Sequence, residues 1–229
     1  MQYFDIHTHH PALHAEDVAI ISLDIRKTAD ILNHSGNEWY SIGVHPWYID
    51  YSDKWTTDLF FTKVCDLAHH PAVAAIGETG PDKGKAATTD DFQYQQELFI
   101  AHARLSEKVK KPLIIHCVSA WSELLRIRQL IKPSMPWIIH GFRGKETLAV
   151  QLINAGFYLS FGCLYNRDAL KAAWAKRRLL TETDDSKTNI RNLYQQIAND
   201  LSVSEQDLSE EIKFFLNCPQ LALPLPRFL

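Results

Sequence analysis

The sequence predicts an α/β fold, a (β/α)8 TIM barrel, from its length and from the alternation of two kinds of segment. Short apolar runs rich in β-branched residues recur along the chain, and stretches with helical periodicity lie between them. The 229 residues, 46% of them hydrophobic, suit one barrel-sized domain with a substantial core. Because strands that alternate with helices form a parallel sheet with the helices outside, closing that sheet gives the barrel.

Eight strands are predicted from these apolar runs. They are Tyr3–His9, Ala19–Asp24, Tyr40–His45, Val73–Glu78, Leu113–His116, Trp137–His140, Phe157–Phe161 and Arg178–Thr183. The second strand differs from the rest, because only a short link, from Ile25 to Glu38, separates it from the third. A barrel that is slightly shortened or distorted around the second strand is therefore an alternative.

Five helices are predicted from apolar residues that recur at helical spacing. They are Phe92–Lys110, Ala120–Ile131, Lys145–Ala155, Asn189–Asp200 and Leu208–Leu216. A further short helix is expected in the link between the second and third strands. No low-complexity tract or Pro-rich or Gly/Ser-rich linker interrupts the chain, so residues 1–229 are predicted to form a single domain.

The composition argues against several classes of protein. A formal net charge of −3 is unlike the basic surface of an obligate nucleic-acid binder, although a local patch or bound metals can still hold phosphate. The N-terminus has no signal-peptide pattern and no apolar run is long enough to span a bilayer. We expect a cytoplasmic protein with no membrane association and no obligate protein partner. Its cysteines show no C-x-x-C pair and are expected to be reduced thiols: Cys65, Cys117, Cys163 and Cys218.

Residue types that bind metals end five of the predicted strands. Strand by strand, they are His7 and His9, then Glu78, His116 and His140, and finally Glu182 with Asp184. In a barrel, the C-terminal ends of the strands form the rim where active sites are built. Side chains two positions apart leave a strand on the same face, so His7 and His9 are expected to point together into that rim.

Four imidazoles with two carboxylates, one from the fourth strand and one from the eighth, exceed what one zinc ion requires. They suit two divalent ions about 3.5–4 Å apart that share a carboxylate. Two such ions activate a water and clamp the attacking and leaving oxygens, so the sequence predicts a metal-dependent hydrolase that needs no covalent nucleophile. Zinc, manganese, magnesium and cobalt all accept mixed imidazole and carboxylate ligands, and the choice among them stays open.

Six stretches of the chain also match the motifs of one known family, in the family's order. They are FDIHTHH, GVHPW, AAIGETGPD, PLIIHC, IIHGFRG and LLTETD, between residues 4 and 184. On these motifs the chain resembles the TatD-like deoxyribonucleases, within the metal-dependent hydrolase (amidohydrolase) superfamily. The resemblance implies hydrolysis of phosphodiester bonds, in DNA or a small phosphodiester substrate, by water activated by two divalent metals.

The resemblance also implies roles for individual residues. The metal ligands would be His7, His9, Glu78, His116, His140 and Asp184. Glu78 would bridge the ions and Asp184 would also accept the water's proton, so these two are the predicted catalytic residues. His45 would lie in the substrate cleft. Asp82 and Arg143 complete the predicted substrate-binding set, although Asp82 can equally orient a ligand histidine or cap a loop, and Arg143 can equally belong to a solvated loop.

Several positions beside the predicted ligands depart from the family pattern, and they leave the substrate open. They are Pro81, Val118, Gly141, Arg143, Asp185 and Ser186. One alternative is an amidohydrolase or lactonase that acts on a small C–N or C–O substrate. The other is a catalytically degenerate metal-binding protein.

The remaining aromatic and histidine residues have ordinary structural interpretations. The tryptophans are expected to pack against the barrel rather than to stack on bases: Trp47, Trp55, Trp121, Trp137 and Trp174. The histidines outside the motifs are expected to be surface or packing residues: His10, His14, His34, His69, His70 and His102. Asp5 is predicted either to hold His7 or to be a buried structural residue.

Overall fold

The computed structural model, which describes residues 1–27 and 38–217, contains eight parallel strands that pair in sequence order. The strands are β1 (Phe4–Thr8), β2 (Val18–Asp24), β3 (Glu38–Gly43), β4 (Val73–Thr79), β5 (Leu113–Ile115), β6 (Trp137–Ile139), β7 (Tyr158–Phe161) and β8 (Leu179–Thr181). Every predicted strand is present, with ends that differ by a few residues from the predicted ones.

The sheet closes between its last and first strands through residues that follow β8. The Asp184 N–H donates to the His7 carbonyl oxygen, and the His9 N–H donates to the Asp184 carbonyl oxygen, both at 3.0 Å. The buried Asp5 carboxylate accepts hydrogen bonds from the N–H and the hydroxyl of Thr183, at 3.0 and 2.5 Å. The predicted (β/α)8 barrel is confirmed, Asp5 has a structural role in its seam, and Asp184 lies beside both N-terminal histidines.

Seven helices lie in the described part of the chain. They are α1 (Lys54–Leu67), α2 (Thr89–Val109), α3 (Trp121–Ile131), α4 (Glu146–Asn154), α5 (Arg167–Ala175), α6 (Ile190–Leu201) and α7 (Glu205–Leu216). All five helices predicted at defined ranges are present, whereas α1 and α5 were not predicted. The apolar residues of α1 include Trp55 and Leu59, which are exposed, so no single apolar stripe marks this helix in the sequence.

The first connection of the barrel contains no helix, since residues 9–17 join β1 to β2 through turns. The short helix expected between β2 and β3 falls largely on residues 28–37, outside the described residues. The second strand itself is regular, because β2 pairs with β3 in continuous register from Ala19 to Asp24. The pairing of β1 with β2, in contrast, shifts register between Asp5 and Thr8.

The barrel wall is almost fully buried, as expected for a sheet covered by side chains inside and by helices outside. Every residue of β1, β4, β5 and β6 is buried. Among the tryptophans, Trp137 is completely buried as predicted. The packing prediction is wrong for Trp47 and Trp55, whose exposed fractions are 58% and 70%.

The longest helix, α2, is fixed at both ends. Thr88 Oγ1 accepts from the Asp91 N–H and the Asp91 carboxylate accepts from the Thr88 N–H, which is a reciprocal N-terminal cap. Lys110 ends the helix in the left-handed conformation. Because α2 packs against β4, two of its buried side chains, Gln95 and His102, reach the strand ends that form the rim.

Two further expectations concern the thiols of the cysteines and segments that could span a membrane. Cys65 and Cys117 are half-buried free thiols, Cys163 is an exposed free thiol, and Cys218 lies outside the described residues. Within residues 1–27 and 38–217, no helix has both the length and the apolar character that crossing a bilayer requires.

Candidate metal centre

Glu78 is the centre of the candidate site, because imidazoles from four strand ends surround its carboxylate. The side chain follows Gly77 near the end of β4 and is 5% exposed. Gly43, at the end of β3, allows the neighbouring strand to come this close, since a Cβ there would lie 2.6 Å from the Glu78 carbonyl oxygen. Any side chain at position 43 would displace the backbone that carries Glu78.

One oxygen of Glu78 faces the two histidines of β1. Glu78 Oε2 lies 3.4 Å from His7 Nε2 and 3.8 Å from His9 Nε2. Asp184 Oδ1 lies 3.6 Å from each of the same two nitrogens. Asp184 reaches this position from a left-handed backbone conformation, φ 54°, which aspartate tolerates better than most residues. The first group of candidate ligands is therefore His7, His9, Glu78 and Asp184.

The other oxygen of Glu78 faces the histidines of β5 and β6. Glu78 Oε1 lies 3.0 Å from His116 Nδ1 and 2.8 Å from His140 Nε2. His45 Nε2 also approaches this oxygen, at 2.9 Å. The second group of candidate ligands is His116, His140 and Glu78, with His45 beside it. All six predicted ligands are thus brought together, and Glu78 belongs to both groups.

The close carboxylates and imidazoles shift one another's pKa values. Burial alone raises the pKa of Glu78, but His140 and the hydrogen bonds from His116, His140 and His45 lower it well below its ordinary value. Burial likewise raises the pKa of Asp184, and contacts with His7 and His140 outweigh this and lower it to about 2. Burial lowers the pKa of His7, yet Asp184 and Glu78 raise it to about 9 overall. Both carboxylates are therefore ionised at neutral pH, as metal ligands must be, whereas a bound cation would have to displace one proton from His7.

Unpaired buried atoms test whether these residues fit a cation. Among the described residues, both ring nitrogens of His7, Nδ1 of His140 and Oε2 of Glu182 are buried without a hydrogen-bond partner. Buried polar atoms in proteins are nearly always paired, so the unpaired His7 Nε2, which faces the ionised Glu78 and Asp184, fits a site that binds positive charge. Groups of three residues with ligand atoms within 4.8 Å of one another include His7 with His9 and Asp184, and His7 with Glu78 and His140.

Asp82 orients His116 from the side opposite Glu78. Its Oδ2 lies 3.2 Å from His116 Nε2 and accepts a hydrogen bond from Trp47 Nε1 at 3.0 Å. The Asp82 N–H donates to Gln95 Oε1 on α2, at 2.8 Å. With a cation bound, a proton held on His116 Nε2 by Asp82 would leave Nδ1 unprotonated and free to face that cation. Asp82 has contacts that suit both roles the sequence left open, because its Oδ2 faces His116 and its Oδ1 accepts from the Gly84 N–H of the loop at 2.8 Å.

Glu182 is a site residue that the predicted ligand set does not contain. It is fully buried at the end of β8, and its Oε1 accepts from the Gly141 N–H at 2.6 Å and lies 3.4 Å from His140 Nδ1. The sequence holds the signal, because alternation along a strand places Glu182 and Asp184 on the same face. What the spacing does not reveal is that Glu182 contacts a ligand histidine.

Replacing the Glu182 charge is expected to weaken metal binding. In Glu182→Gln the amide oxygen can still accept from Gly141, but the negative charge beside His140 Nδ1 is lost, and metal affinity should fall about 10- to 100-fold. Competition with a chromophoric chelator measures this affinity. Glu146→Gln, on the exposed first turn of α4, is the matched control. Equal affinities in the two variants would contradict the role given to Glu182.

A buried histidine on α2 holds the end of β3, from which His45 projects. His102 Nε2 accepts from the Val44 N–H at 3.0 Å, and Nδ1 donates to the Leu98 carbonyl oxygen at 2.8 Å. Burial lowers the pKa of His102 from 6.5 to about 4, so the ring is neutral and can accept from Val44. His102 is thus a packing residue, as predicted, with the added role of anchoring the backbone next to His45.

The lowered pKa of His102 makes stability depend on pH. Between pH 6.5 and about pH 4 the unfolded chain protonates this group and the folded chain does not, so its contribution to the free energy of unfolding decreases as pH falls through that range. We expect the free energy of unfolding of wild type to exceed that of His102→Gln by about 1–3 kcal/mol near pH 7.5, and by less at pH 4.5. Urea unfolding of the metal-free proteins measures both values, with exposed His69→Gln as control. A pH-independent difference would contradict this assignment.

The ligand groups open into a cleft of about 400 Å³. Among its lining residues are the predicted site residues His9, His45, Glu78, His116, His140 and Asp184. Lys27, Trp47 and Tyr48 also line it, although the sequence did not single them out as site residues. Arg143 is exposed and is not among the lining residues, so the structure does not bring it to the other predicted substrate-binding side chains.

Comparison with known proteins gives the family of this chain. The family model described as TatD related DNase matches residues 6–213. The uncharacterized metal-dependent hydrolase YcfH of Escherichia coli K12 is 32% identical over 162 residues, 68% of this chain, and the match spans 58% of the relative's length. A protein named 3'-5' ssDNA/RNA exonuclease TatD, from Citrobacter koseri, is 30% identical over 122 residues, 53% of this chain and 45% of its own length.

Solved structures show the same fold. The TatD homologue YjjV of Escherichia coli superposes with a TM-score of 0.76 over 98% of both chains, at 20% identity. A TatD family hydrolase from Entamoeba histolytica superposes with a TM-score of 0.73 over 92% of this chain and 95% of its own, at 17% identity. Because the family model covers nearly the whole chain and the rim supplies a histidine and carboxylate cluster, this chain belongs to the TatD family of metal-dependent hydrolases.

Proposed function

We propose that this protein hydrolyses phosphodiester bonds in single-stranded DNA or short oligonucleotides, with a water activated by two divalent metals. The observation that carries the proposal is the division of ligands around Glu78. One carboxylate oxygen faces His7 and His9, and the other faces His116 and His140. A carboxylate whose two oxygens face separate groups of ligands is suited to bridge two ions.

The residues divide between the two ions as follows. His7, His9, Asp184 and Glu78 would hold one, and His116, His140 and Glu78 would hold the other. When bound, the cations lower the pKa of a water and neutralise negative charge on the phosphoryl oxygens. Zinc, manganese, magnesium and cobalt remain candidates, because mixed imidazole and carboxylate ligation accepts each of them.

His45 is suited to donate a hydrogen bond rather than to bind a cation. Its Nδ1 accepts from the Trp47 N–H at 3.1 Å, which places the ring proton on Nε2, the atom 2.9 Å from Glu78 Oε1. Burial is the main cause that lowers the pKa of His45, so the ring is neutral at pH 7. In the complex, we propose, this Nε2–H turns to a phosphate oxygen of the substrate.

Asp184 is suited to accept the proton of the attacking water. It is ionised at neutral pH, since its pKa is lowered to about 2, and its side chain is 32% exposed to the cleft. Glu78 is also ionised but is surrounded by imidazoles and nearly buried. Of the two predicted catalytic carboxylates, Asp184 is therefore the one that water reaches.

The phosphodiester substrate is supported by the family. A relative from Citrobacter koseri carries the name 3'-5' ssDNA/RNA exonuclease. In the lining of the cleft, Lys27 is paired with Asp24 at 3.4 Å, and Asp185 adds a further carboxylate. The proposed metal ions, rather than the protein surface, would therefore attract the polyanion.

A substrate panel tests the proposal. Chelator-treated protein reloaded with each of the four candidate metals is assayed on a single-stranded oligodeoxynucleotide, the matching duplex, a dinucleotide, a lactone and an N-acyl amide. We expect cleavage of the single strand and the dinucleotide, and loss of that cleavage in Asp184→Asn.

Two outcomes would overturn the proposal. Turnover of the lactone or the amide, with the nucleotides left intact, would identify an amidohydrolase or lactonase. Metal binding without turnover of any substrate would identify a catalytically degenerate metal-binding protein.

A further inference from the structure

Trp47 presents an exposed aromatic ring to the cleft, next to the ligand cluster. It lies in the short 3₁₀ turn Pro46–Tyr48 that follows β3, lines the cleft, and is 58% exposed. Its ring centroid lies 5.3 Å from that of His45 and 6.2 Å from that of His116. A flat apolar surface thus lies next to the histidines of the proposed reaction centre.

The orientation of this ring is fixed, although the ring is exposed. Trp47 Nε1 donates to Asp82 Oδ2 at 3.0 Å, and Asp82 is only 3% exposed. Asp82 is itself held by its N–H bond to Gln95 and by its Oδ1, which accepts from the Gly84 N–H at 2.8 Å. Anchoring an indole edge to a buried carboxylate restricts rotation of the ring, so little side-chain entropy is lost when a ligand packs on it.

A cation accompanies the ring. Lys85 Nζ lies over one face of the Trp47 ring, 4.4 Å from its centroid, so a ligand would pack on the opposite face. Lys27 lines the same cleft and is paired there with Asp24 at 3.4 Å. An aromatic surface combined with ammonium groups is the arrangement that binds single-stranded nucleic acids, since bases stack on the ring and the cations attract the backbone. Simple hydrophobic packing does not explain an indole that leaves more than half of its surface in solvent.

We propose that Trp47 stacks on an unpaired nucleobase next to the phosphate that is cleaved. The residue then determines specificity, because it favours a single strand with an intact base over an abasic site or a base held in a duplex. This inference rests on the proposed phosphodiesterase function and adds to it the part of the substrate that the protein recognises.

Cleavage of matched dinucleotides tests the inference. Thymidine dinucleotide is compared with two analogues that lack the base on one side or the other of the same phosphodiester bond. We expect wild type to prefer the intact dinucleotide over one analogue by about 10- to 100-fold in kcat/KM, the size of one base-stacking contact. The ratio of kcat/KM for the intact dinucleotide to kcat/KM for that analogue should fall to about one in Trp47→Leu and be largely kept in Trp47→Phe. Using the ratio removes any general effect of losing the bond to Asp82.

Binding to the metal-free protein gives a readout that does not depend on turnover. Thymidine dinucleotide should quench tryptophan emission in wild type and in Trp55→Phe, an exposed tryptophan outside the cleft lining. The quenching should be lost in Trp47→Phe, which removes the reporting ring, and the abasic analogue that wild type disfavours should not quench.

The outcomes separate this inference from the proposed function. Cleavage of all three compounds at equal efficiency, or an unchanged preference in Trp47→Leu, would overturn the role of Trp47 and leave the phosphodiesterase proposal standing. Base-dependent quenching without any cleavage would support Trp47 and overturn the phosphodiesterase proposal. Absence of both would overturn both.

Discussion

Glu78→Gln is expected to lower kcat/KM for phosphodiester cleavage by about 1,000-fold, the upper range for loss of one electrostatic catalytic group. The substitution keeps the shape of the side chain but removes a charge that five imidazoles contact within 3.8 Å. An amide group also turns one acceptor atom into a donor, which opposes any imidazole N–H or cation on that side. Both ligand groups lose their shared member at once.

Steady-state kinetics and elemental analysis of the same preparations measure this effect. Glu123→Gln is a suitable control, because Glu123 is paired with Lys83 at 2.8 Å and is not among the candidate ligands. We expect Glu78→Gln to bind less metal than wild type, and Glu123→Gln to match wild type in both activity and metal content. A Glu78→Gln protein with full metal content and wild-type kcat/KM would disprove the central position of this carboxylate.

The paired substitution His7→Ala/His9→Ala is expected to abolish binding of at least one of the two proposed ions and the stabilisation that the ion provides. When free metal exceeds the dissociation constant about 1,000-fold, binding to the folded state raises the free energy of unfolding by about 4 kcal/mol. For a chain of this size, that corresponds to a rise in Tm of about 8–16 °C. A chelator should therefore lower the Tm of the double variant much less than it lowers the Tm of wild type.

Elemental analysis should find about two ions per wild-type chain, as the bridged arrangement implies. His14→Ala/His69→Ala removes two histidines that lie outside the candidate ligand groups, and it should keep the wild-type metal content and response to chelator. If wild type binds no metal after incubation with zinc or manganese, the ligand cluster has lost the ability to bind metal. The function would then have to be sought in binding.

The order of the strands and the rim of candidate ligands follow from the sequence alone. Buried parallel strands produce apolar runs that local pattern reveals, and each run that ended in histidine, glutamate or aspartate marked the C-terminal end of a barrel strand. Helix α1 was not predicted because it has no clear apolar stripe, so tertiary contacts decide that it is helical. Helix α5 does carry a buried stripe, Ala169, Leu170 and Ala173, which was not recognised in the sequence.

The tertiary structure alone decided how the ligands divide and what supports them. Glu78 and His116 are far apart in sequence, and which oxygen meets which nitrogen depends on the register and closure of the barrel. The same holds for Glu182 beside His140, for the anchoring of β3 by His102, and for Trp47, which was expected to pack and is instead exposed in the cleft. Sequence spacing fixes the face of a strand on which a side chain lies, whereas its partners come from other strands and helices and are set only when the chain closes.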